Sequence, residues 1–270
     1  LAKLATVRPK IGYPIKWRDY SSLEIKPDAY VRNVMRAEAF DTQYRLARLH
    51  KPVDRDEWGM SPPTVNAYYN PTLNEIVFPA GILQPPFFDM NADDAVNYGG
   101  IGAVIGHEIT HGFDDQGSRS DAEGNLRNWW KPEDRSRFNA KTDKLVKQYN
   151  ECVGVDDMHV NGQLTLGENI ADLGGVMIAN AAYKKSLGGK PAPVIDGLTG
   201  PQRFFTGYAQ VWRGSQRDKD LRVMLRTNPH SPERFRTLIP LSNVPAFYEA
   251  FDVQPGQTMY RAPEDRVEVW

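Results

Sequence analysis

Apolar residues return at helical spacing over most of this chain and at strand spacing over a small part of it. From Pro27 to about His50, Tyr30, Val31, Val34, Met35, Ala37, Phe40, Tyr44, Leu46 and Ala47 recur at helical intervals, which predicts a helix ended by Lys51-Pro52. Residues 8–22, with two prolines, a glycine and several aromatics, read as an ordered loop or short strand. Thr64 to Tyr69 alternates, Asn70-Pro-Thr-Leu-Asn is turn material, and Glu75-Ile-Val-Phe-Pro is extended again, so a β-hairpin is expected. A proline-stiffened apolar loop, Gly81 to Phe88, follows. Asp93 to about Phe113 reads as one helix, and Asp121 to Asn125 as a second hairpin or loop. Further helices are expected from Pro132 to about Tyr149, Thr165 to Leu187 closed by Gly188-Gly189, Pro201 to Gln216, one opening at Ser231 with that serine as cap and Pro232 in first position, and Asn243 to Ala250. The pattern predicts an α+β chain that is mostly α, with a small sheet in its first third. It contains no internal repeat.

Composition narrows the class without naming a function. The 270 residues are 40% hydrophobic and 25% charged with a formal net charge of -1, the profile of an ordinary globular protein with no basic block for nucleic acid. No apolar run approaches bilayer length and no signal peptide opens the chain; Leu1-Ala-Lys-Leu-Ala begins mid-pattern, as in a cut helix, so a fragment or processed chain is expected. Cys152 is the sole cysteine, which excludes intrachain disulfides and thiolate metal sites.

The candidate chemistry lies in Gly106-His107-Glu108-Ile109-Thr110-His111-Gly112. On a helix, His107 and His111 fall on one face and can direct two imidazoles at one metal ion, while Glu108 sits beside that ion, where a carboxylate can take a proton from an activated water. The plainer alternative is two surface histidines on an amphipathic helix. A catalytic zinc site needs a third protein ligand, and Gly167-Glu168-Asn169-Ile170-Ala171-Asp172 offers one. Glu168 reads as that ligand, and Asp172, four residues on, as the carboxylate that accepts the other ring N–H of a ligand histidine. An acidic solvated helix face is the alternative here, but Ala171, Leu173 and the pair Gly174-Gly175 suggest a buried helix in close contact with a neighbour. Asp114 and Gly117 stand where a longer His-Glu-x-x-His-x-x-Gly-x-x-His motif would need glycine and histidine, which excludes that protease class. No glutamate is convincingly placed at the interval usual in zinc aminopeptidases.

With these stretches together, the chain resembles the neprilysin and endothelin-converting-enzyme family of zinc metallopeptidases over essentially its whole length. The resemblance is carried by Val65-Asn-Ala-Tyr-Tyr69, Ile76 to Phe88, Asn97 through Asp115, and Gly167 to Asp172. It implies a thermolysin-like zinc peptidase catalytic domain over 61–270, preceded by a helical and loop segment, 1–60, leading from an N-terminal helical lobe that this chain does not contain. It implies one Zn2+ on His107, His111 and Glu168, with Glu108, His230 and Asp172 in catalysis. Asn66 and the backbone of Ala67 would hold an extended peptide, Arg236 would orient the substrate carbonyl, and His230 would donate to the oxyanion. Ile82, Phe87, Ala103, Val104, Val211 and Trp212 would line the pocket for the residue after the cut, with a preference for large apolar side chains. Ala103 replaces a methionine of neprilysin, so a roomier pocket is expected.

Departures from the animal members are Arg213, where they have a cysteine, and the ending Val267-Glu-Val-Trp270 in place of Cys-Arg-x-Trp; both suit a bacterial, disulfide-free branch. The arginine that binds a substrate carboxylate in neprilysin belongs to the absent lobe, so exopeptidase-like preferences do not carry over. The expectation is a zinc endopeptidase acting on peptides and small proteins, favoured outside the cytoplasm. Its partners would be peptide substrates and the N-terminal lobe, with no nucleic acid and no membrane span. The alternatives are a zinc-containing but silent binding lobe, or a lobe active only with a separate N-terminal chain.

Overall fold

Strand β1 (Arg8–Gly12), which follows a single turn of helix, α1 (Ala2–Ala5), finds its partner far along the chain. The computed structural model describes residues 1–269; Trp270 of the divergent C-terminus lies outside them. Helix α2 (Tyr30–Leu46) comes next, then β2 (Tyr68–Asn70) and β3 (Glu75–Pro79), and the sheet order is β1-β3-β2 with β1 parallel and β2 antiparallel to β3. All five residues of β3 are buried, as expected for a central strand covered on both faces. The expected hairpin therefore exists, but its first strand starts at Tyr68 and not Thr64, and Val65 to Ala67 lie outside the ladder.

The stretch expected as one helix from Asp93 is three pieces. Helix α3 (Asp94–Asn97) runs into a π-helical turn, Tyr98–Gly102, and then into α4 (Ala103–His111). Here the Ile101 N–H donates 2.7 Å to the Phe87 carbonyl in place of a regular helical partner, a tertiary bond that pattern reading could not supply.

Helix α5 (Pro132–Asn150) leads to a two-stranded ladder, β4 (Val153–Val155) with β5 (Met158–His159), too short to leave a periodic signal. The remaining helices are α6 (Leu166–Ser186), α7 (Gly200–Val211), α8 (Asp218–Thr227), α9 (Glu233–Asn243) and α10 (Pro245–Phe251). Helix α7 carries a capping box between Thr199 and Gln202 and stops at Val211, short of the expected Gln216. Helix α8 was not anticipated, although Leu221, Met224 and Leu225 stand at helical spacing; Leu225 is buried and Leu221 packs against the main core. Ser231 does not cap α9: it is buried and its hydroxyl donates 2.8 Å to Asn169 Oδ1 on α6, while Pro232 takes the cap position.

Helix α6 runs through the centre of the main core, with Ile170, Ala171, Leu173 and Val176 fully enclosed beside Tyr149, Tyr183, Phe204 and Phe205. A second, smaller core of Ala67, Ile76, Phe78, Ile82 and Ile101 joins the sheet to the π turn. Helix α2 contributes to neither and buries no residue.

Candidate active site

The site exists because two helices approach more closely than side chains would allow. A Cβ on Gly175 would come within 2.7 Å of both the Ala103 carbonyl oxygen and the His107 nitrogen, and one on Gly106 within 2.7 Å of the Gly175 carbonyl oxygen. Glycine at both positions lets the backbone of α6 lie directly on α4, which brings Glu168 and Asp172 to the imidazoles of His107 and His111.

The hydrogen bonds around the rings fix which nitrogen is free. His107 Nδ1 lies 2.9 Å from Asp172 Oδ1, and His111 Nδ1 lies 2.7 Å from Asp114 Oδ2. A carboxylate only accepts, so each Nδ1 carries a proton and each Nε2 is left to hold either a second proton or a metal ion. Those two Nε2 atoms face each other at 3.0 Å, and Glu168 brings Oε2 to 3.3 Å from the first and Oε1 to 3.6 Å from the second. One donor atom from each of His107, His111 and Glu168 thus falls within 4.8 Å of the others. Three electron-pair donors directed at one point repel unless a positive charge sits between them. The donor set fits Zn2+, which takes imidazole nitrogen and carboxylate oxygen and keeps a further position open in catalytic sites.

The electrostatics show how strongly these carboxylates draw positive charge to the same point, whether a proton on His107 Nε2 or a metal ion in its place. Burial opposes charge on His107, but its bonds to Asp172 and Glu168 outweigh burial and lift the ring to about 10. Burial likewise opposes ionisation of Glu168, yet His107 and the other imidazoles hold it well below the usual carboxylate range. Asp172 is also held low, against burial, mainly by Arg236. The guanidinium of Arg236 donates through Nε to Asp172 Oδ2 and through Nη2 to Asp172 Oδ1, both at 2.8 Å, reaches Glu168 Oε2 at 3.4 Å, and lies 4.0 Å over the Trp212 ring. Asp172 is therefore shared between a histidine and an arginine that fixes its plane. Glu108 is 5% exposed, and burial, countered in part by His107 and His111, raises its pKa. His230 lies on the other side of Glu168, Nε2 to Oε1 at 3.3 Å, with both its backbone N–H and its Nδ1 bonded to Asn228 Oδ1 at 2.9 Å. Burial lowers its pKa.

All of these side chains border one cleft of about 960 Å³. The same cleft is lined by Asn66, Ala67, Ile82, Phe87, Ala103, Val104, Val211 and Trp212, so the structure brings every sequence-derived candidate to one place. Asn66 is exposed and precedes β2; its Oδ1 accepts the Ala67 N–H at 2.9 Å. Two contributors escaped sequence reasoning. Asp114 carries His111, and an aspartate three residues after a candidate ligand histidine was a readable signal. Asn228 orients His230 and left no such signal.

Residues 66–267 match peptidase family M13. The chain belongs to peptidase family M13. Its M13 relatives include Neprilysin-3 of Drosophila melanogaster, 42% identical over 281 residues covering 100% of this chain and 35% of that protein. Endothelin-converting enzyme 1 of Homo sapiens is 46% identical over 257 residues, covering 94% of this chain and 33% of that one. Among solved structures, the zinc metalloprotease ZMP1 of Mycobacterium tuberculosis in complex with an inhibitor superposes with a TM-score of 0.98 at 56% identity, over 100% of this chain and 42% of that chain. PEPO from Lactobacillus rhamnosis gives a TM-score of 0.89 at 39% identity, over 41% of its length. This chain spans about a third of the curated M13 relatives it matches.

Proposed function

We propose that this chain is the catalytic part of a zinc-dependent endopeptidase that cleaves peptides and small proteins. The observation that carries the proposal is the convergence of His107 Nε2, His111 Nε2 and the Glu168 carboxylate, with the buried Glu108 in the same cleft. His107, His111 and Glu168 hold one Zn2+, and Asp172 orients His107. When bound, the ion supplies Lewis acidity to the substrate carbonyl and the attacking water. Glu108, raised by burial toward the working range of a base, takes the proton from that water and passes it to the leaving amine. His230 Nε2, when it carries a proton, donates to the developing oxyanion while Asn228 holds the other edge of the ring. Arg236 orients the substrate carbonyl and, through Asp172, the ligands.

Substrate binding follows from the same cleft. Asn66 and the Ala67 backbone hold the peptide in extended form, exchanging the local bond between them for bonds to substrate. Ile82, Phe87, Ala103, Val104, Val211 and Trp212 receive a large apolar residue after the cut, with extra room left by Ala103. Residues 61–270 form the peptidase unit, and 1–60 leads from an N-terminal helical lobe that completes the enzyme outside the cytoplasm. Among the described residues, no helix is long and apolar enough to cross a membrane. The test is cleavage of quenched peptides with mapped cut sites: cleavage before large apolar residues, abolished by a chelator and restored by zinc, is expected. Cleavage indifferent to chelation removes the zinc mechanism.

A further inference from the structure

Lys3 stands in a stretch that the sequence presents as a severed helix, yet it is one of the most buried charged residues described, 4% exposed. Its ammonium donates to the carbonyl oxygens of Gly112, Gly117 and Ser120, each at 2.7 Å. Three N–H donors meet three acceptors, which is the full capacity of an ammonium group. The rings of Tyr69, Phe113 and Trp129 surround it at 5.5 to 5.9 Å from nitrogen to ring centre. Burial pushes Lys3 down to about 8, against the attraction of Asp114 and Asp121.

The three acceptors belong to one loop, and that loop starts at the residue after His111. Within it, Asp114 Oδ2 bonds His111 Nδ1 at 2.7 Å, while Asp114 Oδ1 accepts the N–H groups of Gln116 at 2.9 Å and Gly117 at 2.7 Å. Gly117 therefore gives its N–H to Asp114 and its carbonyl to Lys3. It also lies so close to α4 that a Cβ there would come within 1.7 Å of the His111 carbonyl oxygen. The loop cannot shift without moving Asp114, and Asp114 sets the plane of the His111 ring. Lys3 is itself tied down: Asn74, in the turn between β2 and β3, donates 2.9 Å to the Lys3 carbonyl and 2.9 Å to Thr6 Oγ1. The two imidazoles are thus supported by separate devices. Arg236 fixes Asp172 for His107 directly, and Lys3 fixes Asp114 for His111 through the loop.

We propose that Lys3 is a positioning residue for the metal centre, locking the 112–120 loop so that Asp114 holds the His111 ring with Nε2 toward the ion. The inference rests on the zinc reading above. Supporting groups behind metal-bound histidines commonly change metal affinity or activity about 10- to 100-fold when removed.

The test compares Lys3→Met, Asp114→Ala, the double variant, and Lys10→Met in the intact protein. Zinc affinity is measured by competition with a chromophoric chelator, and the visible spectrum is recorded after cobalt substitution. Lys10 is the control because it is also buried and paired, at 2.8 Å to Glu75, but serves the sheet and not the loop. Lys3→Met should weaken zinc by about 10-fold and shift the cobalt bands. Lys10→Met should lower the melting temperature while leaving both readouts unchanged. In the Asp114→Ala background, Lys3→Met should add less than about twofold, because the residue acts through Asp114. Should Lys3→Met fail to fold, Lys3→Gln, which keeps an amide donor, should show a smaller loss in the same direction. Wild-type zinc affinity and cobalt spectrum in a folded Lys3 variant, or losses that multiply in the double variant, overturn the proposal. Absence of zinc binding in the wild type would instead remove the underlying metal reading.

Discussion

Glu108 and Glu168 are both carboxylates on the same cleft, and their surroundings separate them. Glu168 faces two imidazoles and an arginine and is held ionised; Glu108 is enclosed, and burial raises its proton affinity. This divergence suits a ligand on one side and a base on the other. Glu108→Gln keeps the shape and removes the base, so zinc content should be unchanged and kcat should fall by at least about 10²- to 10⁴-fold, the usual span for a positioned base. Metal analysis beside turnover numbers checks this, and retained activity sinks the assignment. Glu168→Ala should lose the ion altogether, leaving two imidazoles that cannot close a catalytic site. A variant still loaded with one zinc after dialysis would exclude Glu168 from the ligand set.

Between elements, the decisive feature is the glycine contact of α4 with α6. Replacing Gly175 by alanine gains about 1 kcal/mol of helix propensity. Against this stands a Cβ at 2.7 Å from backbone atoms of Ala103 and His107, which have no rotamer with which to withdraw. Overpacking of this kind costs about 1–3 kcal/mol. The clash should win, and Gly175→Ala should lower the urea midpoint and weaken zinc together as α6 carries Glu168 away from α4. Denaturation curves with and without zinc measure both, and an unchanged midpoint with unchanged affinity would mean that the helices tolerate separation. The pair Gly174-Gly175 was legible as a sign of close contact with a neighbouring helix. The π turn at Tyr98–Gly102 was not, because it depends on the Phe87 carbonyl.

Over the whole molecule, hydrophobic surface is unevenly assigned. The main core closes around α6, whereas α2 leaves Tyr30 81% and Met35 65% exposed. Its internal order comes from side-chain contacts with the preceding loop: Arg18 lies 3.8 Å over the Tyr44 ring, and Tyr20 packs at 5.6 Å from Phe40. Under the proposed function, the helical lobe expected before this chain covers that face. Hydrogen exchange over residues 30–46 should then be slower in a protein carrying the lobe than in these 270 residues alone. Equal rates would leave the apolar face of α2 without that explanation.

The sequence by itself determined the parts whose physics is local. Helical spacing sets His107 and His111 on one face and Glu168 and Asp172 on another, and apolar periodicity marks α4, α5 and α6 as helices before any contact is known. It also carried the family resemblance, because the motifs are contiguous. Tertiary structure alone decided which faces meet and what holds them. Ser231 looks like a helix cap and is instead a buried donor to Asn169; β1 is legible as a loop or short strand but not as the parallel edge of β3; Lys3 looks like the stub of a helix and fills three carbonyls beside the candidate metal centre. In each case a polar group or strand edge is satisfied by a partner remote in the chain, and no local pattern records which remote partner burial will supply.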